Sequence, residues 1–541
     1  MEEKQEQISF RDLKTKKVWR RFLPQTVLAQ GQLQTFFSGN EPPYNPGRNV
    51  FEIVTQADFL AEYYPTSHKI NSETYYPNVW RTVSEKVIDP VTGEYSIDND
   101  GNFITQENVY CEIVPRFSFP YQQIIAFTHI YHATSNDIQH ELAIPDPTEA
   151  QDKLFDDMCS SWHEAGMEDA WYQSFKAREI TGDTAFVGSV RNGEFSWRVF
   201  SYKDGDVLYP HYDQTGALKL LVRSTFQYDA SGMTVSEVLE VWDEKNYSIY
   251  RRSQGESNVI TKVFDRIKGI FGIEGYVLEY SEPHGFPFIP AVYMRNEDGP
   301  GWSASQDSID NYELNFSQMA HNNQAYGEAI LVTKTKGDMP VDITRGLNGT
   351  IKQIDMDSES EAHFLEGQSA SDSYMKQLDK LEEMIYRGSE IIKSPTELKS
   401  GDTPATSIKL LFTPNMQRAE SDLTECRPFI SGMWRIFAFG YGYVNNCITD
   451  AMSLRVISWG KVFVPQSESS IVADLVALVN AKILSAQTAA ERCPFYSKPG
   501  ESKKIQVEEK RKRDAELLVE LEEIKATQQS RLTQNSNIEN Q

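Results

Sequence analysis

The chain has 541 residues, of which 40% are hydrophobic, so it can form several domains or one large elongated protomer. Its formal net charge of −25 argues against a protein that grips DNA or RNA by neutralising phosphates, because such proteins are basic. An acidic surface repels phosphate and is still compatible with DNA that passes without adhering.

The cysteine pattern and the hydropathy argue against two further classes of protein. The five cysteines are widely spaced, odd in number and form no C-x-x-C pair, which indicates reduced thiols rather than a disulfide framework or a zinc site. The polar N-terminus lacks the apolar core of a signal peptide, and no run of about 18 apolar residues is present. We therefore expect a protein of a cytosol-like compartment that does not span a membrane.

The first half of the chain predicts a mixture of helices and strands. Residues 1–45 have the composition of a charged arm with weak helical character, and residues 84–115 alternate like two strands around a glycine-containing turn. Residues 147–178 predict two helices joined near Gly166. Short apolar runs between glycines predict an antiparallel sheet over residues 184–250. Its expected strands include Phe195–Val199, Leu218–Val222 and Val238–Trp242.

After a variable connection over residues 251–283, the central part of the chain predicts a protrusion carried by two helices. Apolar side chains recur at helical spacing over Asp307–Tyr326 and again over Asp372–Ile392. A helix of about 20 residues is roughly 30 Å long. Ala329–Lys334 and Thr350–Asp355 predict strands between the helices, so a small β-rich unit is held away from the rest of the chain.

A loop and a long helix follow the protrusion. Residues Lys393–Thr406 contain two prolines and a glycine, which predicts a loop. Pro414–Asn446 predicts a helix that spans roughly 48 Å, and Pro428 is expected to kink it. The helix has an apolar repeat of seven residues, formed by Met416, Leu423, Ile430, Phe437 and Val444. The repeat indicates core packing, either on the same chain or on a neighbouring copy.

The last part of the chain predicts one strand and several helices. Leu454–Trp459 has a strand pattern and is expected to return to the sheet, and Ser467–Lys482 predicts a helix capped by its first serine. Ser485–Arg492 predicts a short helix, and residues 501–526 predict a highly charged one. The polar residues 528–541 are expected to be disordered.

No complete catalytic motif is present in the sequence. Gly460-Lys461 lacks the upstream glycine and the following Ser/Thr of a P-loop, so nucleotide hydrolysis is not supported. His140-Glu141 and His163-Glu164 each begin H-E-x-x-H but lack the second histidine of a zinc site. His129 and His132 are expected to be core or surface histidines. We expect no catalytic residue, no cofactor and no metal ion.

One stretch approaches the pattern of a calcium-binding loop. Positions 1, 3, 5, 6 and 12 of such a loop would be Ser96, Asp98, Asp100, Gly101 and Glu107. Position 1 is serine rather than aspartate, and the flanking residues have strand patterns. A β-turn is therefore the favoured interpretation, with a calcium site as the alternative.

Two sets of charged residues are candidates for contact with DNA or with a partner. The acidic set forms a solvated face, a repulsive channel rim or a docking edge. It consists of Asp355, Asp357, Glu359, Glu361 and Glu366. The loop set provides plain surface charge or weak sliding contacts to phosphate. It consists of Lys393, Lys399, Asp402, Thr403 and Lys409.

An ordered set of segments carries a family resemblance. Ser308–Asn323 is similar to the helix pattern LIDAYNxxxSxxAN, and Gly401–Leu410 is similar to the loop pattern P…SGxALK that precedes a long helix. The further segments of the set are Trp197–Leu218, Phe286–Val292, Glu328–Lys334 and Ile483–Pro494. From about residue 150 to residue 495 the sequence therefore resembles the portal proteins of tailed double-stranded DNA bacteriophages. Residues 1–145 have no counterpart in this resemblance.

The resemblance implies an α+β, portal-type elongated protomer. Such a protomer has a mixed wing domain, two stem helices, a small α/β clip, a long kinked spine helix and an α-helical crown. The implied boundaries are 1–302 for the N-terminal arm and wing, 303–327 for stem helix 1, 328–370 for the clip, 371–392 for stem helix 2, 393–407 for the tunnel loop, 408–466 for the spine helix and its return to the wing, 467–527 for the crown and 528–541 for a disordered tail.

The resemblance also implies a homo-oligomeric ring, a dodecamer in the family, at one capsid vertex of a virion assembled in the host cytoplasm. Double-stranded DNA passes through the channel during packaging, retention and ejection. The implied protein partners are the terminase motor, the head–tail adaptor, the major capsid protein and a scaffold protein. Two alternatives are another virion ring, such as a neck or tail adaptor, and a hydrolase with paired carboxylates in the aromatic-rich segment Tyr63–Trp80. The missing motifs favour a structural protein over an enzyme.

Overall fold

The structure is a computed structural model in which two compact units are distinguished. The described residues are 19–22, 51–87, 96–98, 104–213, 215–228, 234–252, 276–326, 330–334, 342–345, 351–355, 361–365, 371–393, 412–464, 468–483, 489, 510–511, 513 and 525. Unit 1 comprises Met1–Pro395 and Phe412–Phe463, and unit 2 comprises Thr396–Leu411 and Val464–Gln541.

Helices and mostly antiparallel strands both contribute to unit 1, which confirms the α+β class. Its helices are α1 (Gln56–Tyr63), α2 (Tyr121–Thr134), α3 (Glu149–Glu164), α4 (Met167–Thr181), α5 (Gln306–Tyr326), α6 (Ser371–Gly388), α7 (Thr413–Val444) and α8 (Ile448–Ser453). Its strands are β1 (Trp19–Phe22), β2 (Phe51–Val54), β3 (Val79–Lys86), β4 (Thr105–Glu112), β5 (Gln139–Leu142), β6 (Asp183–Arg191), β7 (Glu194–Phe200), β8 (Val207–Tyr212), β9 (Leu218–Tyr228), β10 (Thr234–Trp242), β11 (Asn246–Arg252), β12 (Tyr276–Pro283), β13 (Ala291–Arg295), β14 (Ile330–Lys334), β15 (Asp342–Arg345), β16 (Ile351–Asp355), β17 (Glu361–Leu365) and β18 (Val456–Trp459).

Among the described helices, none combines the length and the apolar character that crossing a membrane requires.

Two antiparallel sheets form the β-rich part of unit 1. The larger has the strand order β12–β11–β10–β9–β8, and the smaller has the order β13–β6–β7. Gly193 joins β6 to β7 with φ of 81°, a left-handed conformation that glycine adopts without strain. The strands predicted between residues 184 and 250 are confirmed.

The expectation of a variable connection over residues 251–283 is wrong at its C-terminal end, where β12 completes the larger sheet. This strand lies at the sheet edge and is exposed along most of its length. Because an edge strand of this kind buries neither face, its sequence lacks the alternation that identifies a strand.

The hydrophobic core of unit 1 is centred on α3, α4 and α7. Gly166 separates α3 from α4 with φ of 66°. The side chains of Trp162, Trp171 and Phe175 are buried. The indole rings of Trp162 and Trp434 lie 5.5 Å apart, so α3 contacts α7 through aromatic side chains.

The apolar repeat of α7 packs mainly inside its own chain. Its three central positions, Leu423, Ile430 and Phe437, are buried in the core of unit 1. The first position, Met416, is half-buried, and the last, Val444, is exposed. The centre of the repeat therefore packs on its own chain and not on a neighbouring copy. Helix α7 continues through Pro428 as one helix.

The two central helices are confirmed, with one correction. Helix α5 agrees with the prediction to within one residue, but α6 ends at Gly388 rather than at Ile392. Glu390 adopts a left-handed conformation with φ of 55°, which a continuing α-helix cannot contain. The chain therefore turns at the end of α6, and Ile391 reaches a buried position.

The described residues between α5 and α6 form two nested antiparallel pairs. Strand β14 pairs with β17, and β15 pairs with β16 between them in the sequence. Strands β14 and β16 are predicted, whereas β15 and β17 are not. The two missed strands are four and five residues long.

Three corrections concern the N-terminal part of unit 1. The arm predicted over residues 1–45 contains a strand, β1, which pairs in parallel with β2. Helix α2 and strand β5 were not predicted. Strand β18 forms as predicted but pairs with β5 instead of joining either larger sheet.

A two-stranded hairpin of β3 and β4 occupies the region predicted to form a hairpin over residues 84–115. Near its turn, the Ser96 N–H donates to Val87 and the Ile104 N–H donates to Ser96. Asp100 and Gly101 of the calcium-loop pattern lie outside the described residues. Strands flank the pattern, as the β-turn interpretation requires.

Unit 2 is described mainly by one helix, α9 (Glu468–Asn480). This helix lies within the predicted span Ser467–Lys482. The predicted helices over Ser485–Arg492 and residues 501–526 lie almost wholly outside the described residues, as do residues 528–541.

Asp183, the first residue of β6, is a fully buried carboxyl group. Burial raises its pKa to about 6, against hydrogen bonds that favour the ionised form. These bonds come from the Tyr293 hydroxyl at 3.1 Å and the Gln56 amide at 3.2 Å, and both reach the same carboxyl oxygen, Oδ2.

Asp183→Asn is expected to remove a pH-dependent loss of stability. Because the folded-state pKa lies above the ordinary value of 3.8, the folded protein holds this proton more tightly, and stability falls as the pH rises from 3.8 to about 6. An asparagine carbonyl accepts the same two hydrogen bonds without ionising. Relative to wild type, the variant should gain up to about 3 kcal/mol above pH 6. Urea unfolding of both proteins between pH 4 and pH 7 measures this gain, and a pH-independent difference would contradict it.

Candidate functional site

The candidate site is the place where the helix pair α5–α6 leaves the body of unit 1. We call it the helix-pair root and define it as Trp302–Ser305 together with Ile385–Ile391. The start of α5 meets the end of α6 there, and β14 and β17 pair at the opposite ends of the helices. The two helices therefore run side by side in opposite directions, and a helix of about 20 residues extends roughly 30 Å.

Trp302 fixes the start of α5. Its indole ring is buried, and its Nε1–H donates to the carboxylate of Glu62 on α1 at 3.0 Å. The ring of Tyr63 lies 6.0 Å from the indole. The segment that precedes α5 is therefore held by packing and by a charge-assisted hydrogen bond.

A second set of contacts follows α5 outward. Glu313 is buried, accepts a hydrogen bond from the Phe119 N–H and lies 2.7 Å from His68 Nδ1. Burial lowers the pKa of His68, but the hydrogen bond and the negative charge of Glu313 outweigh burial and raise the pKa above its usual value. Next to this pair, the ring of Phe119 packs edge-to-face on both Tyr312 and Phe316.

The first turn of α5 and the last turn of α6 meet without space for an extra atom. The Ser305 hydroxyl donates to the Ile385 carbonyl at 3.0 Å, and the Ser389 hydroxyl contacts Ser305 at 2.9 Å. A Cβ atom at Gly388 would lie 2.5 Å from Ser305 Oγ. Glycine at this position therefore permits the close approach of the two helices.

A buried charge cluster lies behind the root, between α4 and α7. The Arg178 guanidinium contacts Glu179 at 2.8 Å, Asp422 at 3.3 Å and Glu425 at 2.7 Å. Arg418 contacts the other oxygen of Asp422 at 3.0 Å. Arg178, Glu179 and Asp422 are buried, so a planar guanidinium joins carboxylates of two helices inside the core.

The two buried carboxylates of this cluster differ in their protonation behaviour. Burial raises the pKa of Glu179, but the contacts with His129 and Arg178 outweigh it and hold the pKa at about 2. Burial and the negative charge of Glu179 raise the pKa of Asp422, and Arg178 only partly offsets them. Glu179 is therefore ionised across the physiological range.

His129 of α2 connects the buried charge cluster to the root. Its Nε2 lies 3.0 Å from the Ser389 carbonyl oxygen, and its Nδ1 lies 3.6 Å from a Glu179 carboxylate oxygen. Because a carbonyl oxygen only accepts, Nε2 carries a proton. A Cβ atom at Gly301 would lie 2.2 Å from His129 Nδ1, so the turn before α5 also closes on this ring. His129 is thus a core histidine, as predicted.

His132, one turn further along α2, is also a buried structural histidine. Its Nδ1–H donates to the Phe463 carbonyl oxygen at 2.8 Å, because a carbonyl oxygen only accepts. Its Nε2 lies 3.3 Å from the Asn415 amide near the start of α7. Burial lowers its pKa, which favours the neutral form that these contacts need.

The predicted DNA-contact residues lie mostly outside the described part of the chain. Lys393 is exposed and forms an ion pair with Glu382 of α6 at 3.0 Å. Asp355 and Glu361 lie at the ends of β16 and β17. The predicted residues outside the described ranges are Asp357, Glu359, Glu366, Lys399, Asp402, Thr403 and Lys409. The roles of the two sets therefore stay predictions.

The carboxylates near the aromatic segment Tyr63–Trp80 have structural partners. Glu62 binds the Trp302 indole, and Glu313 binds His68 and the Phe119 amide. Both carboxylates are buried. Within the described residues, no group of three or more His, Cys, Asp or Glu side chains is arranged to hold a metal ion. The arrangement does not favour the hydrolase alternative.

The buried charge cluster is the feature that sequence reasoning missed. Arg178 and Glu179 interrupt the buried run of α4, and Asp422 directly precedes Leu423 of the apolar repeat. Charged residues at positions that a helix buries are a usable signal, because such residues are rarely buried without partners. The identity of the partners is not encoded locally, since Arg178 and Asp422 are separated by 244 positions.

The proteins to which this chain is similar include one curated protein and one solved structure. The portal protein of Bacillus phage SPP1 is 20% identical over 333 residues, which cover 60% of this chain and 63% of the relative. A solved structure, "Neck of empty GTA particle computed with C6 symmetry", is 8% identical with a TM-score of 0.36 and covers 68% of this chain and 87% of that chain. The chain thus spans less than two thirds of the length of the curated relative.

A family comparison extends over a larger part of the chain. Residues 174–516 match the family model described as "Phage portal protein, SPP1 Gp6-like". The matched segment begins inside α4 and includes both sheets, the helix pair with its root, α7 and α9. A match over more than half of the chain establishes membership, and the chain belongs to the SPP1 Gp6-like family of phage portal proteins.

Proposed function

We propose that the chain forms a ring-shaped DNA conduit at one capsid vertex of a phage, where it serves genome packaging, retention and ejection. The observation that carries this proposal is the family match over residues 174–516, which contains the helix pair, its root and α7. The role is structural, since a channel wall requires shape and charge rather than a nucleophile.

In this proposal the parts of the chain have separate roles. The helix pair α5–α6 forms the stem, residues 328–370 form the clip, and α7 forms the spine. The arm and wing occupy residues 1–302, and the crown occupies residues 467–527. The contacts at the root support this assignment, because a stem that is fixed by Trp302, Ser305 and Ser389 can hold the clip in a defined place.

The charge of the chain suits a conduit. A formal charge of −25 in each of about a dozen copies would repel the phosphates of passing DNA and limit adhesion. In this proposal the tunnel-loop residues Lys393, Lys399, Asp402, Thr403 and Lys409 face the DNA. The ion pair with Glu382 would moderate the attraction of Lys393 for phosphate. The clip acids Asp355, Asp357, Glu359, Glu361 and Glu366 form a repulsive rim or a docking edge.

The proposed partners follow from the same placement. The clip would meet the terminase motor during packaging and the head–tail adaptor afterwards. The wing and crown would meet the major capsid protein and a scaffold protein. The complete assembly would be a dodecamer in the virion, formed in the host cytoplasm.

Electron microscopy of the purified protein tests the ring, and a loop deletion tests the assignment of the tunnel loop. We expect rings with a central channel and about twelve-fold symmetry, as in the family that the chain resembles. Deleting residues 394–404 should leave the rings intact and reduce the packaged DNA per particle. A compact monomer at all concentrations would contradict the conduit, whereas loss of rings on deletion would show that the loop is a subunit contact.

A further inference from the structure

One face of the β3–β4 hairpin carries large apolar side chains that the described residues leave exposed. On one face of the hairpin, Trp80 lies opposite Cys111, and Ile113 continues the same face beyond the end of β4. Trp80 is 69% exposed, Ile113 is 75% exposed, and Val109 on this face is also exposed. An isolated two-stranded hairpin is marginally stable in water, so this face is expected to pack on another surface.

The hairpin contacts α5 at one end and extends away from that helix. Glu112 lies 3.9 Å from His321 on α5, and the Phe117 N–H donates to Ser317 on the same helix. From this base, eight residues in each strand extend about 26 Å. Within the described residues, β3 and β4 have no third strand beside them. The hairpin therefore has the geometry of an arm.

A second uncovered apolar surface lies on α2, which follows the hairpin in the sequence. Ile124, Phe127 and Tyr131 share one exposed face of the helix, and Phe127 is 67% exposed. The opposite side of α2 packs into the core. Large apolar side chains that are adjacent and exposed commonly mark an interaction surface, so the outer face of α2 indicates a contact beyond the described residues.

The charge distribution restricts what can cover these surfaces. The chain carries 78 acidic and 53 basic residues, yet residues 117–136 contain no Asp, Glu, Lys or Arg. Two copies of a chain with a net charge of −25 repel each other over most of their surface. They can approach closely where charges are absent. The outer face of α2 is such a place, and so is the part of the Trp80 face next to the hairpin base, because Glu107 lies on this face only further towards the turn.

We propose that the hairpin arm of one copy packs its Trp80 face on the outer face of α2 of a second copy. The inference rests on the proposed ring, because a heterologous contact between two different surfaces repeats around a closed ring. The exposed parts of these side chains amount to on the order of 600 Å². A stable interface buries about 1,200–2,000 Å², so this contact would provide a substantial share of one subunit interface.

The contact would join the neighbouring copy to the helix-pair root. The outer face of α2 belongs to the same helix as His129, which contacts the Ser389 carbonyl and faces Glu179. An arm that packs on the outer face of α2 is therefore separated from the buried charge cluster by this one helix. The arm and all of α2 precede the segment that matches the family, so this contact belongs to the N-terminal part of the chain.

Cross-linking between Cys111 and a cysteine placed on α2 tests the proposal. Cys111 is exposed on the proposed contact face, whereas Cys426 is buried and its thiol pKa is raised to about 12 by burial, so it stays unreactive. The test protein carries Cys159→Ser, Cys447→Ser and Cys493→Ser, with Thr128→Cys on α2. A short bismaleimide is added, and the products are separated on a denaturing gel. Matched controls keep only Cys111 or only Thr128→Cys.

We expect a ladder of covalent dimers, trimers and higher species that requires both cysteines. Electron microscopy of the same samples separates this proposal from the proposed function. Rings without a ladder would overturn the arm contact and leave the conduit standing. Dimers from Cys111 alone would show hairpin-to-hairpin contact, and a link confined to the monomer band would show contact within one chain. Either result would overturn the proposal.

Discussion

Replacing Arg178 with alanine is expected to lower the free energy of unfolding of the protomer by about 3–5 kcal/mol. The guanidinium is buried and contacts carboxylates of Glu179, Asp422 and Glu425. Its removal leaves Glu179 and Asp422 in the core without the cation that they share. Breaking a buried ion cluster by removing one partner is costly, because the remaining charges cannot be solvated. Urea unfolding at neutral pH measures the loss.

Arg191→Ala is the matched control for this substitution. Arg191 also forms an ion pair, with Glu282, but both side chains are substantially exposed. Exposed pairs contribute about 0–1 kcal/mol, so the control should unfold close to wild type. Equal losses for the two variants would show that the buried charge cluster contributes no more than a surface pair. Because the cluster joins α4 to α7, the Arg178 variant should also form rings less efficiently than the control.

Trp302→Ala is expected to cost about 3–5 kcal/mol, the range for truncating a buried tryptophan. The indole is fully buried beside α5 and donates a hydrogen bond to Glu62. The substitution therefore leaves a cavity at the point where the helix pair begins and removes one donor from a buried carboxylate. Thermal and urea unfolding measure the loss of stability. Electron microscopy of the assembled protein reports whether the helix pair α5–α6 keeps a defined position.

Trp302→Phe separates the two contributions. Phenylalanine fills most of the space but has no N–H, so the Glu62 hydrogen bond alone is lost. A hydrogen bond to a charged group contributes about 1.5–3 kcal/mol, so the loss should lie below that of the alanine variant. If both variants unfold like wild type, Trp302 does not fix the root in the way that its burial indicates.

The helices with a clear apolar period could be predicted from sequence. Helices α5 and α7 have such periods, and their bounds agree with the prediction to within two residues. The period identifies the helix but not its neighbours. Only the structure shows that Leu423, Ile430 and Phe437 pack on the same chain.

Elements whose apolar residues follow no regular spacing could not be predicted from the sequence. Helix α2 was missed because apolar residues occupy both its buried and its exposed face, so no stripe stands out. Strand β12 was missed for the opposite reason, since it is exposed on both faces. In both elements the exposure pattern depends on contacts distant in sequence.

The helix pair was predicted from sequence, but the root that holds it was not. The sequence indicates a helix pair that carries a strand-rich insert, and the family resemblance places a stem there. The residues that hold this pair were missed, because each contact joins distant positions. Gly301 meets His129 across 172 positions, and no local pattern requires a glycine there.

The nested pairing of the strands between α5 and α6 has a consequence for how this region can change. Because β14 and β17 pair with each other, the chain enters and leaves the outer part of the insert at neighbouring positions. The segment between Lys334 and Glu361 is therefore an insertion whose two ends are held together by the pairing of β14 with β17. Such a segment can be lengthened, shortened or exchanged without altering the register of the helices below it. Related chains could then carry different segments at this place on the same helix pair.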